Sequence, residues 1–226
     1  MIPDLAPLWL SARLALLTTL ILLVIGVPLA GWLAHRRSPL KPVIETLVSM
    51  PLVLPPSVLG FYLLLLFTPT GRLGGWLRDT LGLQLVFSFP GLVFGSVLFS
   101  LPFMVQPVAA ALAAQPPSLR EAAWTLGRSR LGAFFAVELP AVRAALAAGA
   151  VMSFAHTVGE FGLVLMIGGN IPGVTQVASI AVYQQVEQLN YPAAHVYAGI
   201  LCGFAFCVVL IVNVLRRYAD RHGANP

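Results

Sequence analysis

The chain has 226 residues, of which 58% are hydrophobic and 9% charged, and its formal net charge is +5 at pH 7. A soluble domain carries about 25% charged residues, so the composition excludes an ordinary water-soluble enzyme and points to an integral membrane protein. The basic excess does not mark a nucleic-acid binder, because Lys and Arg sit beside apolar runs, where they set orientation in a bilayer. A span needs about 20 apolar residues to cross about 30 Å of hydrocarbon. The first predicted span covers residues 8–34, with Arg13 near its outer end, and closes on the basic loop His35-Arg36-Arg37 to Lys41. Its length, and the lack of a basic leader before it, argue against a cleaved signal. The second predicted span, 43–67, contains Met50-Pro51-Leu52-Val53-Leu54-Pro55-Pro56-Ser57. Prolines so closely spaced cannot lie in a regular helix. Broken backbone at membrane depth is tolerated only against protein or a wet cavity, so this stretch is placed beside a pathway.

A loop at 68–87 holds a short amphipathic piece at 75–81. The third predicted span, 89–114, carries Gly91 and Gly95 at a spacing that suits close helix packing. The fourth covers 141–167 and leads through an irregular segment, 168–175, into a polar helix at 176–189. The fifth, 194–215, has the same glycine spacing at Gly199 and Gly203. Cys202 and Cys207 fall on different faces of that helix, so neither a disulfide nor a metal pair is indicated, and both read as small apolar core residues.

Between the third and fourth spans lies a polar island, 118–140, with Arg120, Glu121, Arg128, Arg130 and Glu138, after an uncharged run from 80 to 119. It reads as two short helices in water. Ser118 with Glu121 three residues on is a capping box, Gly127 offers a bend, and the second apolar run, 131–137, is expected to end before Pro140. Arg36, Arg37 and Lys41, then Arg120, Arg128, Arg130 and Arg143, then Arg216, Arg217 and Arg221 fall on one side of the membrane. Arg13, Arg72 and Arg78 fall on the other. The positive-inside rule therefore puts the N-terminus outside and the 118–140 loop in the cytoplasm.

Within the fourth span, Glu160 is costly at membrane depth. His156, four residues earlier on one helix face, is its expected partner; a pathway or gate role and a structural pair both remain open. Residues 168–175 share a frame with a phosphate-binding loop, but Val174 stands where Lys is needed and no strand precedes it, so the chain offers no nucleotide site. Scattered histidines give no metal cluster, and no catalytic set sits at one depth.

The spacing Glu121-Ala122-Ala123, Gly127, Val137, Leu139-Pro140 resembles the EAA loop of bacterial ABC importer permeases, with Val137 for the usual Ile. The run Pro51 to Phe67 resembles the LPLVLPP element of molybdate permeases, and Phe154 to Gln176 resembles their GEFG and NIPGxT elements, which sulfate permeases share in weaker form. Here His156 and Thr157 stand for the usual Arg and a small or apolar residue, and Leu163 for Ala. An Arg there would pair with Glu160; His156 implies a weaker, pH-dependent pairing. The resemblance implies an all-α polytopic permease of the type I, MetI-like fold with about five spans in a bacterial inner membrane. It implies a single permease domain over 1–226 and a pathway formed with a second copy. Its expected partners are two cytoplasmic ATPase subunits that carry ATP and Mg, and a periplasmic oxyanion-binding protein. It assigns ATPase coupling to Glu121, Ala122, Ala123, Gly127, Leu139 and Pro140. Pathway or gate candidates are Pro55, Pro56, Ser57, His156, Gly159, Glu160, Gly162, Asn170 and Thr175, and neither a cofactor nor an enzymatic role is expected of this chain. Molybdate is the expected cargo, with sulfate/thiosulfate and tungstate as alternatives, and an ATPase-independent secondary transporter as the rival from another class.

Overall fold

The computed structural model describes residues 4–36 and 38–223, with side chains as far as residue 214. Arg37 and the side chains of Arg216, Arg217 and Arg221, which entered the orientation argument, lie outside the described residues.

The described residues form an all-helical bundle. Helix α1 (Ala6–His35) is the first expected span and runs through Pro28 unbroken, as membrane helices allow where neighbours cover the freed carbonyl. Helix α5 (Phe89–Ala113) is the third, capped by Ser88, whose side chain accepts from Gly91 N. Helix α12 (Tyr191–Gly223) contains the fifth and continues beyond it. Among the described residues these are the three helices long and apolar enough to cross a membrane by themselves; two bent helix pairs raise the number to five if each is one span.

The first bent pair replaces the second expected span. Helix α2 (Lys41–Ser49) passes through one tight turn, Met50–Leu52, and α3 (Pro56–Phe67) then leaves at 110° to it. Pro55 and Pro56 set the corner, since the residue before a proline is pushed out of the helical region, and Pro55 is extended at φ −56°, ψ 134°. Helix α4 (Arg72–Leu81) forms the short amphipathic piece and ends on left-handed Gly82. The second bent pair joins the 118–140 loop to α9 (Arg143–Gly159) at 79°. The fourth expected span is not continuous. It breaks at Glu160 and Phe161 and resumes as α10 (Gly162–Gly168), before α11 (Ala178–Glu187).

Two buried clusters fix the helix directions. At one end Leu10, Leu14, Leu92, Phe99, Leu163 and Ile167 pack together; at the other, Leu22, Ala30, Leu33, Met104, Val108 and Val142 do. Early residues of α1 therefore meet early residues of α5, and late meet late, so the two helices run parallel and α9 returns against them. Residues 82–87 fold back on the start of α5, where a Cβ on Gly91 would lie 1.7 Å from Leu85 O. Gly95 faces Leu163, so these glycines do serve close packing, but against a loop and α10. Gly199 and Gly203 meet nothing within 4 Å, and Cys202 and Cys207 are exposed on α12, not in a core as expected.

Candidate functional site

Two regions concentrate the residues singled out from the sequence. The first is the 118–140 loop. Helix α6 (Pro117–Thr125) begins two residues earlier than a Ser118 cap would place it, with Pro116 in the cap position and no side-chain cap bond. The Ser118–Glu121 capping box is not formed, because Pro117 supplies a preset φ at the first helical position and no N–H that needs capping. Glu121 and Ala122 are exposed and Ala123 is buried. The helix closes on Gly127 at φ 79°. Gly127 N donates to Trp124 O (2.9 Å) and Arg128 N to Ala123 O (3.1 Å), the paired bonds of a Schellman end. A Cβ on Gly127 would meet nothing within 4 Å, so glycine is needed for its backbone and not for space.

Ser129 then caps α7 (Arg130–Ala133) by accepting from Gly132 N. The chain does not stop before Pro140. It widens into a π turn, Phe134–Glu138, where Leu139 N reaches back to Phe134 O, and continues as α8 (Leu139–Ala141). The wider turn moves the carbonyls away from the proline ring, which a tight α turn would not. It also rotates Glu138 inward. Glu138 is buried, its Oε2 lies 2.8 Å from His35 Nε2, and its carbonyl accepts from Gln115 Nε2. Phe134 lies against Gly31 of α1, where a Cβ would come within 2.6 Å of its ring. The outer surface is apolar in the other direction: Leu126 is 84% and Leu131 72% exposed.

The second region lies where the two interrupted segments meet. A Cβ on Gly162 would lie 3.2 Å from Pro56 Cβ and Ser57 N, and one on Gly60 would lie 2.8 Å from Met166 Cβ and 3.0 Å from Leu163 O. Pro55, Pro56, Ser57 and Gly162 are thus brought together, with Gly159 exposed and Glu160 buried beside them. Glu160 is extended at ψ 136°. Its Oε2 accepts from Ser96 Oγ of α5 at 3.3 Å, its carbonyl accepts from Ser179 Oγ of α11, and its Oε1 has no partner among the described residues.

The expected His156–Glu160 pair is absent among the described ion pairs. Helix α9 ends between the two residues, so the i, i+4 face is lost. His156 instead turns to α5, with Nδ1 2.9 Å from Ser100 Oγ and its ring stacked on Phe103 at 4.1 Å between centroids. Thr157 joins the same cluster through Ser100 Oγ and Ser153 O. Asn170 and Thr175 are not gathered here; α10 separates them by about 10 Å along its axis. Thr175 is fully buried, donating to Gly168 O and accepting from Ile171 N, so its hydroxyl holds the loop and is not a free donor. Asn170, at φ 57°, accepts from Gln176 Nε2. Sequence reasoning missed Ser96, Ser100 and Ser179. The first two were legible as hydroxyls four apart within an apolar run.

A family model described as binding-protein-dependent transport system inner membrane component matches residues 16–222. The molybdenum transport system permease protein ModB of Azotobacter vinelandii is 47% identical over 95% of this chain and 95% of its own length. ModB of Escherichia coli K12 is 31% identical over 97% and 94%. The sulfate transport system permease protein CysT of Synechocystis is 33% identical over 88% of this chain and 69% of its own length. Among solved structures, a bacterial ABC transporter involved in the import of the acidic polysaccharide alginate superposes with a TM-score of 0.71 at 18% identity, over 92% of this chain and 78% of that one. The MetNI methionine ABC transporter in inward-facing conformations gives 0.62 at 18%, over 95% and 92%.

Proposed function

The chain belongs to the family of binding-protein-dependent transport system inner membrane components, and from that premise we propose that it is the molybdate permease subunit of an ATP-driven importer. Family membership makes it a multi-pass inner-membrane transport subunit and sets aside the secondary-transporter reading. The observation that carries the cargo is the end-to-end likeness to a molybdenum transport permease, whereas the sulfate permeases extend beyond the length this chain matches.

In this reading two copies line the pathway, and a periplasmic binding protein delivers the oxyanion to the outer mouth. Two ATPase subunits bind the 118–140 loops and move them on ATP closure. The loop suits that task. Its exposed Glu121, Ala122, Leu126 and Leu131 leave apolar and polar surface for a partner, while Glu138 and Phe134 tie it to α1. Glu121, Ala122, Ala123, Gly127, Leu139 and Pro140 are the coupling residues. The contact of Pro55-Pro56-Ser57 with Gly162, flanked by Gly159 and Glu160, is the gate candidate, because two interrupted helices meeting there can shift without breaking regular hydrogen bonds. His156 orders α9 against α5 and stands one step back from it.

The test is radiolabelled molybdate uptake in cells lacking this chain, complemented with wild type or Gly127→Asp, with sulfate and tungstate as competitors. Restored uptake that resists excess sulfate and is lost in Gly127→Asp supports the proposal. Equal competition by sulfate moves the cargo to sulfate/thiosulfate. Uptake of labelled tungstate with markedly higher affinity moves it to tungstate. Normal uptake by Gly127→Asp sinks the coupling assignment.

A further inference from the structure

A cleft of about 410 Å³ opens between the inner end of α1 and the 118–140 loop. It has two chemically distinct ends. One is cationic, lined by Arg36, Arg120 and Arg130. The acid in this lining, Glu138, is already engaged by His35 at 2.8 Å, and none of the three arginines makes an ion pair among the described residues. Arg120 Nε is buried and donates to no acceptor among them. The Arg120 and Arg130 guanidinium carbons lie 5.3 and 5.9 Å from the Trp124 ring centre, so one indole draws both cations to the same place. The other end is apolar, walled by Pro28, Trp32 and Phe135. It runs along the last two turns of α1, about 10 Å, toward the membrane interior.

An unsatisfied guanidinium N–H calls for an anionic oxygen. A free oxyanion would use the cationic end and leave the apolar wall empty. An amphiphile with a phosphate at one end and a chain at the other uses both, and the cleft lies at the end of α1, an apolar helix of membrane-spanning length. Basic pockets between membrane helices on the cytoplasmic side take anionic headgroups for this reason. We infer that this cleft binds one anionic phospholipid, with its phosphate among Arg36, Arg120 and Arg130 and an acyl chain against Pro28, Trp32 and Phe135.

The full chain, purified in a neutral detergent, is titrated with dioleoyl phosphatidylglycerol or dioleoyl phosphatidylcholine and read by native mass spectrometry. The wild type is expected to hold one phosphatidylglycerol at concentrations where phosphatidylcholine leaves no adduct. Arg120→Gln/Arg130→Gln should weaken that binding roughly ten- to thirty-fold, the value of two basic contacts at a membrane surface, while Arg72→Gln/Arg78→Gln on the opposite side leaves it intact. If the loop variant aggregates on gel filtration, the exposed Arg36→Gln serves instead, with about a five-fold loss expected. Equal binding of both lipids, or unchanged phosphatidylglycerol binding in the arginine variants, overturns the inference. So does displacement of the lipid by a ten-fold excess of inorganic phosphate, which would make the cleft a free-anion site.

Discussion

The two interrupted regions of this chain solve opposite problems. Where α3 meets α10, the break at Glu160 is turned inward: Gly60 and Gly162 pack so closely that a Cβ would press on the opposite segment, and hydroxyls from neighbouring helices hold Glu160. In the 118–140 loop the irregular backbone faces outward. A Cβ on Gly127 would meet nothing within 4 Å, and Leu126 and Leu131 stand out from the loop, more exposed than Trp124 or Phe135. The first region is anchored within the chain at Glu160, while Val53, Pro55 and Ser57 at its corner are exposed. The second is tied down on its inner side, through Glu138 and Phe134, and its exposed outer side is the surface proposed above for the ATPase subunit. Interruption therefore does not by itself mark one kind of site; what surrounds the interruption does.

Four substitutions can break or sharpen that contrast, each followed by thermal unfolding in detergent together with uptake. The largest effect is expected from Gly60→Val. Its new side chain would press on the Leu163 backbone, which cannot turn aside, and overpacking of this kind costs about 3 kcal/mol; a wild-type unfolding profile would show that α3 and α10 are not in fixed contact. Next comes Glu138→Ala, which removes the acceptor beside His35 and should cost about 2 kcal/mol, below the value for a fully buried pair because His35 is partly exposed. Gly127→Ala adds no clash and should cost only about 1 kcal/mol for the left-handed backbone, yet uptake should fall well beyond what that loss explains. Should uptake and stability fall in proportion, the loop's role is structural. Leu126→Ser should change stability by less than about 0.5 kcal/mol while weakening co-purification of the ATPase partner, and intact co-purification would remove that leucine from the docking surface.

Much of this was legible in the sequence because continuous apolar runs leave few choices. The bounds of α1 and α5 follow from where charge and proline stop them, and Pro55-Pro56 announced their own corner. The failures share a cause. Ser118 reads as a cap by residue type, but Pro117 supplies the start without one. Pro140 reads as a stop, but a π turn carries the helix past it. His156 and Glu160 read as a pair only if one helix holds both. The break between them has no proline to signal it; it rests on Ser96 and Ser179, which are distant in sequence and invisible to a local pattern. In each case a local rule was overruled by a contact whose partner lies elsewhere in the chain.

The two cysteines have a practical consequence. The chain has no others, and both thiols are exposed on α12, five positions apart and so pointing in different directions. A maleimide fluorophore or spin label applied to the unmodified sequence would thus report on one helix alone. Cys202 sits between Gly199 and Gly203, so its protection from such a reagent would register any surface that comes to cover the glycine face, without a single engineered residue.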